Sequence, residues 1–500
     1  MVKEFDRRTI LKASTAFALS GASVLTWQAS AATAAPISVR RSGAARPLAP
    51  TFFGLNGNNL QERLAWDRAD LGTALTSLRP GVLRYPGGSI GNYWSWGSGW
   101  FQPNGPWPGQ TNGQTGAVIT PFDNSLTPYA VALGKSRAEA LFVVNMLTVD
   151  GRLATNADNQ RMIQDQVRFL QAAAAAGIAV KRIELGNEFY LAGAAAGANG
   201  SDYTKRFPSA TSYAQQANPW ISALRTAFPA AQIAAVGTDA TGNNSARREG
   251  WNAAVLAALT GANALTLHPY IPVTNASATP QSLLSLPYQR VQSLSATEFP
   301  QLVSRGLSGW VTEFNMVDKT PNLTFAGTWT HGLFIAAYAL LLAQNPAVTL
   351  VDLHNVVGDA AAGALFDSID GFRAPTPATQ FLGRSAMGAA LAILLQASSV
   401  STTGQQLAFT GGPVLAGGVP GLVGLDFTGG GQHHVVIVNL ATSAATLDVS
   451  SLFAGTFSWS RTRAAALTTR ITGPTSLTVT NGTATGSVNL PTHSIVKISQ

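Results

Sequence analysis

Two glutamates stand out by where they sit. Glu188 closes the segment RIELGNE (182–188), and Glu313 lies near the end of GWVTEFN (309–315). Both segments are short apolar runs ending in polar groups, the pattern of buried strands that deliver side chains to one end of a sheet. Two carboxyl groups held roughly 5–5.5 Å apart can cleave a glycosidic bond with retention of configuration. One attacks the anomeric carbon; the other protonates the leaving oxygen and then activates water. The first must be ionised and the second protonated, so their surroundings must push the two pKa values apart. Arg84 is placed to hold Glu313 ionised, because an adjacent positive charge lowers a carboxyl pKa. Tyr270 would orient Glu313 by a hydrogen bond. Asn187 would bind the sugar hydroxyl beside the anomeric carbon, where contacts strengthen in the transition state.

Other strand ends carry polar groups too: Asn56 and Asn58, Asn145, Asp239, His268, Asn315, and His354 with Asn355. A packed core alone has no need of them. His268 is expected to line the pocket as a hydrogen bonder. No HExxH or other tight ligand spacing occurs, so no metal is expected. Glu184 shares the strand parity of Glu188 four residues deeper and is expected to be the buried partner of an Arg or Lys. Trp94 and Trp96, with Trp100 and Trp107, fall in one Gly-, Asn- and Pro-rich stretch that also holds Asn92 and Tyr93. Indole faces stack on the apolar faces of sugar rings, and Trp94 and Trp96 are expected to do so.

These residues need a frame that brings eight strand ends to one mouth. Apolar runs at 52–58, 81–88, 140–146, 182–188, 233–239, 264–270, 309–315 and 348–356 alternate with helical patterns at Leu60–Leu78, Gln160–Ala176, Phe325–Gln344 and Thr376–Gln396. Eight strand–helix units predict an α/β fold, a (β/α)8 TIM barrel, with catalytic groups at the C-terminal ends of the strands. Beyond about Gln405 short alternating segments follow at 422–428, 433–440, 456–462, 476–482 and 493–499, separated by Gly-rich turns. They predict a C-terminal antiparallel β-sandwich. ISVRR (37–41) is expected to add a strand to it. The expected division is 1–34 as a signal, 35–50 as the strand joining the sandwich, 51–398 as the barrel and 399–500 as the sandwich.

Composition narrows the function classes. The chain has 500 residues with 46% hydrophobic and 11% charged side chains and no cysteine. Disulfide scaffolds, thiol nucleophiles and zinc–cysteine sites are thereby excluded. Net charge is +8 without any basic run, which gives nucleic-acid binding little support and suits, weakly, an acidic glycan. No Gly-rich phosphate loop occurs, and no organic cofactor is expected. DRRTILKAS, an apolar run from Ala13 to Trp27, and Ala32-Thr33-Ala34 read in order as a twin-arginine export signal. The mature chain is expected outside the cytoplasm, secreted or periplasmic, with a carbohydrate as its partner and no membrane association.

The quoted motifs also carry a resemblance. GNE (186–188), TEF (312–314), RYPGG (84–88) and LHPY (267–270) resemble the motifs of clan A retaining glycoside hydrolases. With the trailing sandwich, the chain looks most like the heparanase/β-glucuronidase and α-L-arabinofuranosidase groups. The resemblance implies Glu188 as acid/base, Glu313 as nucleophile, Asn187 as the sugar-hydroxyl ligand, and Arg84 and Tyr270 as supports of the nucleophile. The first strand departs from the arabinofuranosidase pattern, with Asn56 and Asn58 where that group has an acidic residue. A uronic-acid-containing poly- or oligosaccharide is the first expected substrate. Arabinofuranosides or another clan A substrate are the alternative, and non-catalytic carbohydrate binding is the alternative of another class.

Overall fold

A computed structural model describes residues 36–500 apart from 58–63, 104–106, 108–120, 193–197, 241–244, 276, 321–323, 358–383 and 472. Pro36–Gln500 forms one compact unit. The expected export signal and Asn58 lie outside the described residues.

The chain opens with β1 (Ile37–Pro47). Eight parallel strands follow: β2 (Phe53–Asn56), β3 (Val82–Tyr85), β4 (Glu139–Val143), β5 (Arg182–Glu184), β6 (Gln232–Val236), β7 (Ala264–Leu267), β8 (Ser308–Phe314) and β9 (Val348–His354). They pair in chain order and close into a barrel, β9 returning to β2. A helix follows each strand in turn: α1 (Ala69–Leu78), α2 (Leu126–Ser136), α3 (Asn159–Ala175), α4 (Ala210–Ala227), α5 (Trp251–Ala258), α6 (Leu286–Ala296), α7 (Trp329–Gln344) and α8 (Ala386–Ser398). This is the (β/α)8 architecture expected from the alternation of strand and helix patterns.

The helix spans differ from expectation where local chemistry intervenes. The apolar spacing from Leu60 predicts a long first helix, yet α1 begins at Ala69. Leu64 and Trp66 are buried outside it because Asn124 binds their backbone: its amide donates to the Leu64 carbonyl at 3.0 Å and its Oδ1 accepts the Trp66 N–H at 2.9 Å. The expected start of the last helix, Thr376, lies outside the described residues; α8 begins at Ala386, where the Ser385 hydroxyl accepts the N–H of Gly388 and caps the first turn.

The remaining strands are β10 (Thr403–Thr410), β11 (Leu422–Gly429), β12 (Gln432–Asn439), β13 (Ala445–Asp448), β14 (Thr456–Arg463), β15 (Thr478–Thr485), β16 (Ser487–Leu490) and β17 (Ser494–Ser499). With β1 they form one nine-stranded sheet in the order β15-β14-β17-β12-β11-β10-β1-β13-β16. All neighbours are antiparallel except β1 and β13. Val39, Leu407, Ile437, Leu447, Leu490 and Ile498 share one apolar core, so the sheet closes over its own inner face as a sandwich does. β1 holds the expected ISVRR segment, and β10, β13 and β16 complete the strand set that the sequence outlined.

α7 explains how sheet and barrel adhere. It is apolar all round and buried along almost its whole length, since one side faces the barrel and the other the sheet. Gln344 donates to the Gly424 carbonyl at 3.0 Å, and the Trp329 indole donates to the His493 carbonyl at 2.7 Å.

Inside the barrel, Val82, Leu141, Ala234, Ala264, Trp310 and Leu350, from six strands, form a separate apolar plug. Above it lies Asp352, opposite Gly54 in register. A Cβ on Gly54 would stand 2.2 Å from Asp352 Oδ1, so only glycine fits there. Neither carboxyl oxygen of Asp352 has a hydrogen-bond partner among the described residues. Burial pushes this carboxyl well above its ordinary range; Glu184 adds to the push, while Arg84 and Arg182 oppose it. The folded chain therefore keeps a proton that the unfolded chain releases above about pH 4. The group's contribution to stability is complete below that pH and is lost as pH rises toward the folded-state pKa. Asp352→Asn should unfold at nearly the wild-type midpoint near pH 4. Toward about pH 8 it should gain over wild type by up to about 1.4 kcal/mol per pH unit, as read by denaturant titration. Parallel stability curves for the two proteins would refute this account.

Candidate active site

The barrel mouth collects side chains from β2, β3, β8 and the segments after β5 and β7. At its centre is Arg84, fully buried. Its Nε and Nη2 donate to Glu184 Oε2 at 2.9 and 2.6 Å, Nη2 also to Asn187 Oδ1 at 2.8 Å, and Nη1 to Glu313 Oε1 at 2.7 Å. Glu184 is thus the buried ion-pair partner its strand parity implied. Burial alone would favour the neutral guanidine, but Glu184 and Glu313 outweigh it and raise the Arg84 pKa.

Glu313 has its full set of partners. Besides Arg84, Asn56 donates to Oε1 at 3.1 Å and the Tyr270 hydroxyl to Oε2 at 2.6 Å. The register between β8 and β9 slips between Val311 and Phe314. This bulge lets two residues adjacent in sequence, Thr312 and Glu313, both reach the mouth. Burial pushes the Glu313 carboxyl up, but His268, His354, Arg84 and the Tyr270 hydrogen bond together hold it down at about 2. Glu313 is therefore ionised across the working range of most proteins.

Glu188 sits shallower, its side chain 17% exposed against 5% for Glu313. Its Oε1 accepts the Tyr190 hydroxyl at 2.7 Å and faces His268 Nδ1 at 3.1 Å. His268 also lies 3.7 Å from Glu313 Oε2, and its Nε2 faces the Thr312 hydroxyl at 3.1 Å. Burial lowers the imidazole pKa, yet Glu313 and Glu188 outweigh it and raise it. One carboxylate oxygen of each glutamate and a ring nitrogen of His268 lie within 4.8 Å of one another. Such a trio could also ligate a cation. Here, however, Arg84 already supplies a positive charge against Glu313, and His268 lies between the two carboxyl groups, 3.1 Å from Glu188 Oε1 and 3.7 Å from Glu313 Oε2.

The turn that presents Glu188 is tightly specified. Gly186 has φ +83°, and a Cβ there would meet the Phe189 ring at 2.2 Å. Glu188 itself has φ +52°, unusual for a residue other than glycine and the kind of local strain that clusters at functional sites. Asn92 clamps the same turn, accepting the Asn187 N–H at 3.1 Å and donating to the Asn187 carbonyl at 2.9 Å. Asn187 Nδ2 and Asn56 Oδ1 are buried without a hydrogen-bond partner among the described residues, a donor and an acceptor in reserve at the mouth.

Of the residues expected at a sugar site, Glu188, Glu313, Asn187, Arg84, Tyr270, His268 and Asn56 meet here. Asn145, Asn315 and Trp94 do not. Asn145 is consumed by its own loop, donating to the Trp94 carbonyl and the Thr148 hydroxyl and accepting the N–H groups of Leu147 and Thr148. Asn315 is buried against His331, Met316 and the His354 carbonyl. Trp94 is only 3% exposed, its indole donating to the Tyr85 hydroxyl at 3.1 Å, so it packs beneath the loop and offers a sugar no face. Trp96 contacts Asp165 and Phe169 of α3, away from the glutamates. Sequence reasoning missed Tyr190, two residues beyond Glu188, and Thr312, beside Glu313. It noted Asn92 without giving it a role. Adjacency to the glutamates was the only signal for the first two.

No family model matches the sequence, and no curated protein matches it. The fold is shared with several glycoside hydrolases of known structure. A family 51 α-L-arabinofuranosidase from Bifidobacterium longum superposes with TM-score 0.68 at 16% identity, covering 93% of this chain and 99% of that one. An α-L-arabinofuranosidase from Thermotoga maritima gives 0.66 at 15%, with the same coverage. A 4-O-α-L-rhamnosyl-β-D-glucuronidase from Fusarium oxysporum gives 0.58 at 14%, covering 93% and 100%. The chain shares the architecture of these enzymes over nearly its whole described length.

Proposed function

We propose that this chain is a retaining glycoside hydrolase in which Glu313 is the nucleophile and Glu188 the acid/base. The observation that carries the reading is the Glu188–Glu313 pair itself, with oxygens within 4.8 Å of each other. That spacing suits direct attack by one carboxylate and leaves no room for a water between it and the sugar.

In the first step Glu313 Oε attacks the anomeric carbon while the bond to the leaving oxygen breaks. The Glu188–His268 pair delivers a proton to that oxygen, and the aglycone departs as an alcohol. In the second step Glu188 takes a proton from water, the water oxygen bonds to the anomeric carbon, and Glu313 leaves as a carboxylate. The deeper, ionised Glu313 suits the first role, and the shallower Glu188, open to the leaving group and water, suits the second. Asn187 Nδ2 is free to hold the hydroxyl next to the anomeric carbon.

For the sugar, two readings compete. The net charge of +8 favours a uronic-acid glycan such as a β-glucuronide. Against it, Arg84 is fully buried and bound to Glu184, Asn187 and Glu313, so it cannot meet a sugar carboxylate. We therefore place neutral glycosides first, α-L-arabinofuranosides foremost, in line with the names of the family 51 structures. We also propose export through residues 1–34.

A panel of chromogenic α-L-arabinofuranosides, β-glucuronides, β-xylosides and β-galactosides tests the sugar. Glu313→Gln should lower kcat on the active class by about 10³-fold or more, and the first-formed hemiacetal should retain configuration by NMR. Full activity in Glu313→Gln, or inverted product, would refute the reading. Glu188→Gln should lose about 10²–10⁴-fold on substrates with poor leaving groups and much less on activated aryl glycosides.

The pH profile gives a second test. With Glu313 held at about 2, the acid limb of kcat/KM should lie below the usual carboxylate range. Tyr270→Phe removes a hydrogen bond to the ionised form, so the limb should move to higher pH, by roughly one unit. A limb that stays in place would separate Tyr270 from the ionisation of Glu313.

A further inference from the structure

A second cleft, of about 370 Å³, opens on the same end of the barrel as the glutamate pair. It is lined by residues 94–97 with Gln102 and Pro103 after β3, by Asn145 and residues 148–150 after β4, and by the first half of α3. Its volume is in the lower part of the range of small-ligand pockets, roughly 300–1,000 Å³, and suits one or two sugar rings.

The lining has the two halves of a sugar-recognition surface. Trp96 is partly buried; one face of its indole stacks on Phe169, with centroids 6.0 Å apart and planes 28° apart, and its N–H donates to Asp165 Oδ2 at 3.2 Å. The ring is thereby fixed in orientation while it borders the cleft. Around it stand Asp150, Arg161, Asp165 and Arg168, each with 42–65% of its side chain exposed. They pair as Arg161–Asp150 at 2.6 Å and Arg168–Asp165 at 3.2 Å. A sugar has an apolar C–H face and a rim of hydroxyls that both donate and accept. A fixed indole suits the first, and alternating carboxylates and guanidinium groups suit the second. Two positive charges against two negative ones leave this lining without net charge, so it offers an acidic glycan no excess of positive charge.

The cleft is also joined to the catalytic turn. Thr148, on its wall, donates its hydroxyl to the Asn92 carbonyl at 2.8 Å, and Asn92 is the residue that clamps Asn187.

We propose that this cleft is a second glycan-binding site, stacking a neutral sugar unit on Trp96 and holding its hydroxyls through the Asp150–Arg161 and Asp165–Arg168 pairs. Its role in holding a polymer near Glu188 and Glu313 rests on the glycosidase reading; its capacity to bind sugar does not.

The test uses the full chain carrying Glu313→Gln, so that binding is read without turnover. Its migration is measured in native gels containing arabinoxylan, xyloglucan or, as the acidic control, polygalacturonate. At least one neutral polysaccharide should retard the parent. Retardation should fall by about fivefold with Trp96→Ala added, the loss of one aromatic contact, and should also fall with Arg161→Ala added. Arg161 is at the surface, so its variant carries the test if Trp96→Ala does not fold. Equal retardation of parent and both variants, no retardation by either neutral polymer, or retardation by polygalacturonate alone would overturn the proposal. If no glycoside is hydrolysed yet retardation depends on Trp96 and Arg161, the cleft stands and the catalytic reading falls.

Discussion

The site depends on a positive charge that water never reaches. Arg84 comes from β3 and binds Glu184 from β5, Asn187 from the turn after β5, and Glu313 from β8. Moving such ions out of water is expensive, and an internal pair is repaid only when geometry and additional hydrogen bonds are complete. Here the guanidinium fork serves three acceptors at once, which ties opposite walls of the barrel together. Because the charge is permanent, Glu313 is held ionised without help from solvent. Removing either partner of such a buried pair typically costs about 3–5 kcal/mol, so the geometry of the site and the stability of the fold draw on the same contact.

The electrostatics then divide the mouth by depth. Below, Asp352 has no hydrogen-bond partner among the described residues, and burial keeps its proton on. At mid-depth, Glu313 has Arg84, Tyr270 and Asn56 and gives its proton up. Near the rim, Glu188 shares His268 and Tyr190 and is partly open to solvent. Asp352 and Glu313, two carboxyl groups in one barrel, thus hold protons differently because their neighbours differ.

Much of the architecture was legible because barrel strands are short, apolar and bounded by turn residues. All eight could be counted from runs such as ALFVVNM and VTLVDLHNV. The strand-end pattern pointed to Glu188 and Glu313, and parity alone pointed to the buried role of Glu184. Side-chain direction beyond a strand end was not legible. Asn145 and Asn315 carry the right chemistry at the right place along the chain, yet loop carbonyls and N–H groups close around them. Nor does a Trp reveal whether its ring lies over or under its loop, and Trp94 lies under. The shortened α1 has a similar cause, since Asn124, far away in sequence, takes up the backbone groups a longer helix would have used.

The place of β1 has a consequence for how the chain reaches this state. It precedes every other described strand along the chain, yet Ser38 pairs with Thr410 and Ile37 with Leu447. Its partners lie more than 350 residues further along the chain. Pairings of such long sequence separation are slow to form, because the loop between them must be closed before they gain anything. Until then β1 is an unpaired edge, and the apolar outer side of α7 has no sheet to cover it. Until β10–β13 have followed, these two apolar surfaces have nothing to cover them, and such transiently exposed surface is what makes a partly made chain prone to aggregate.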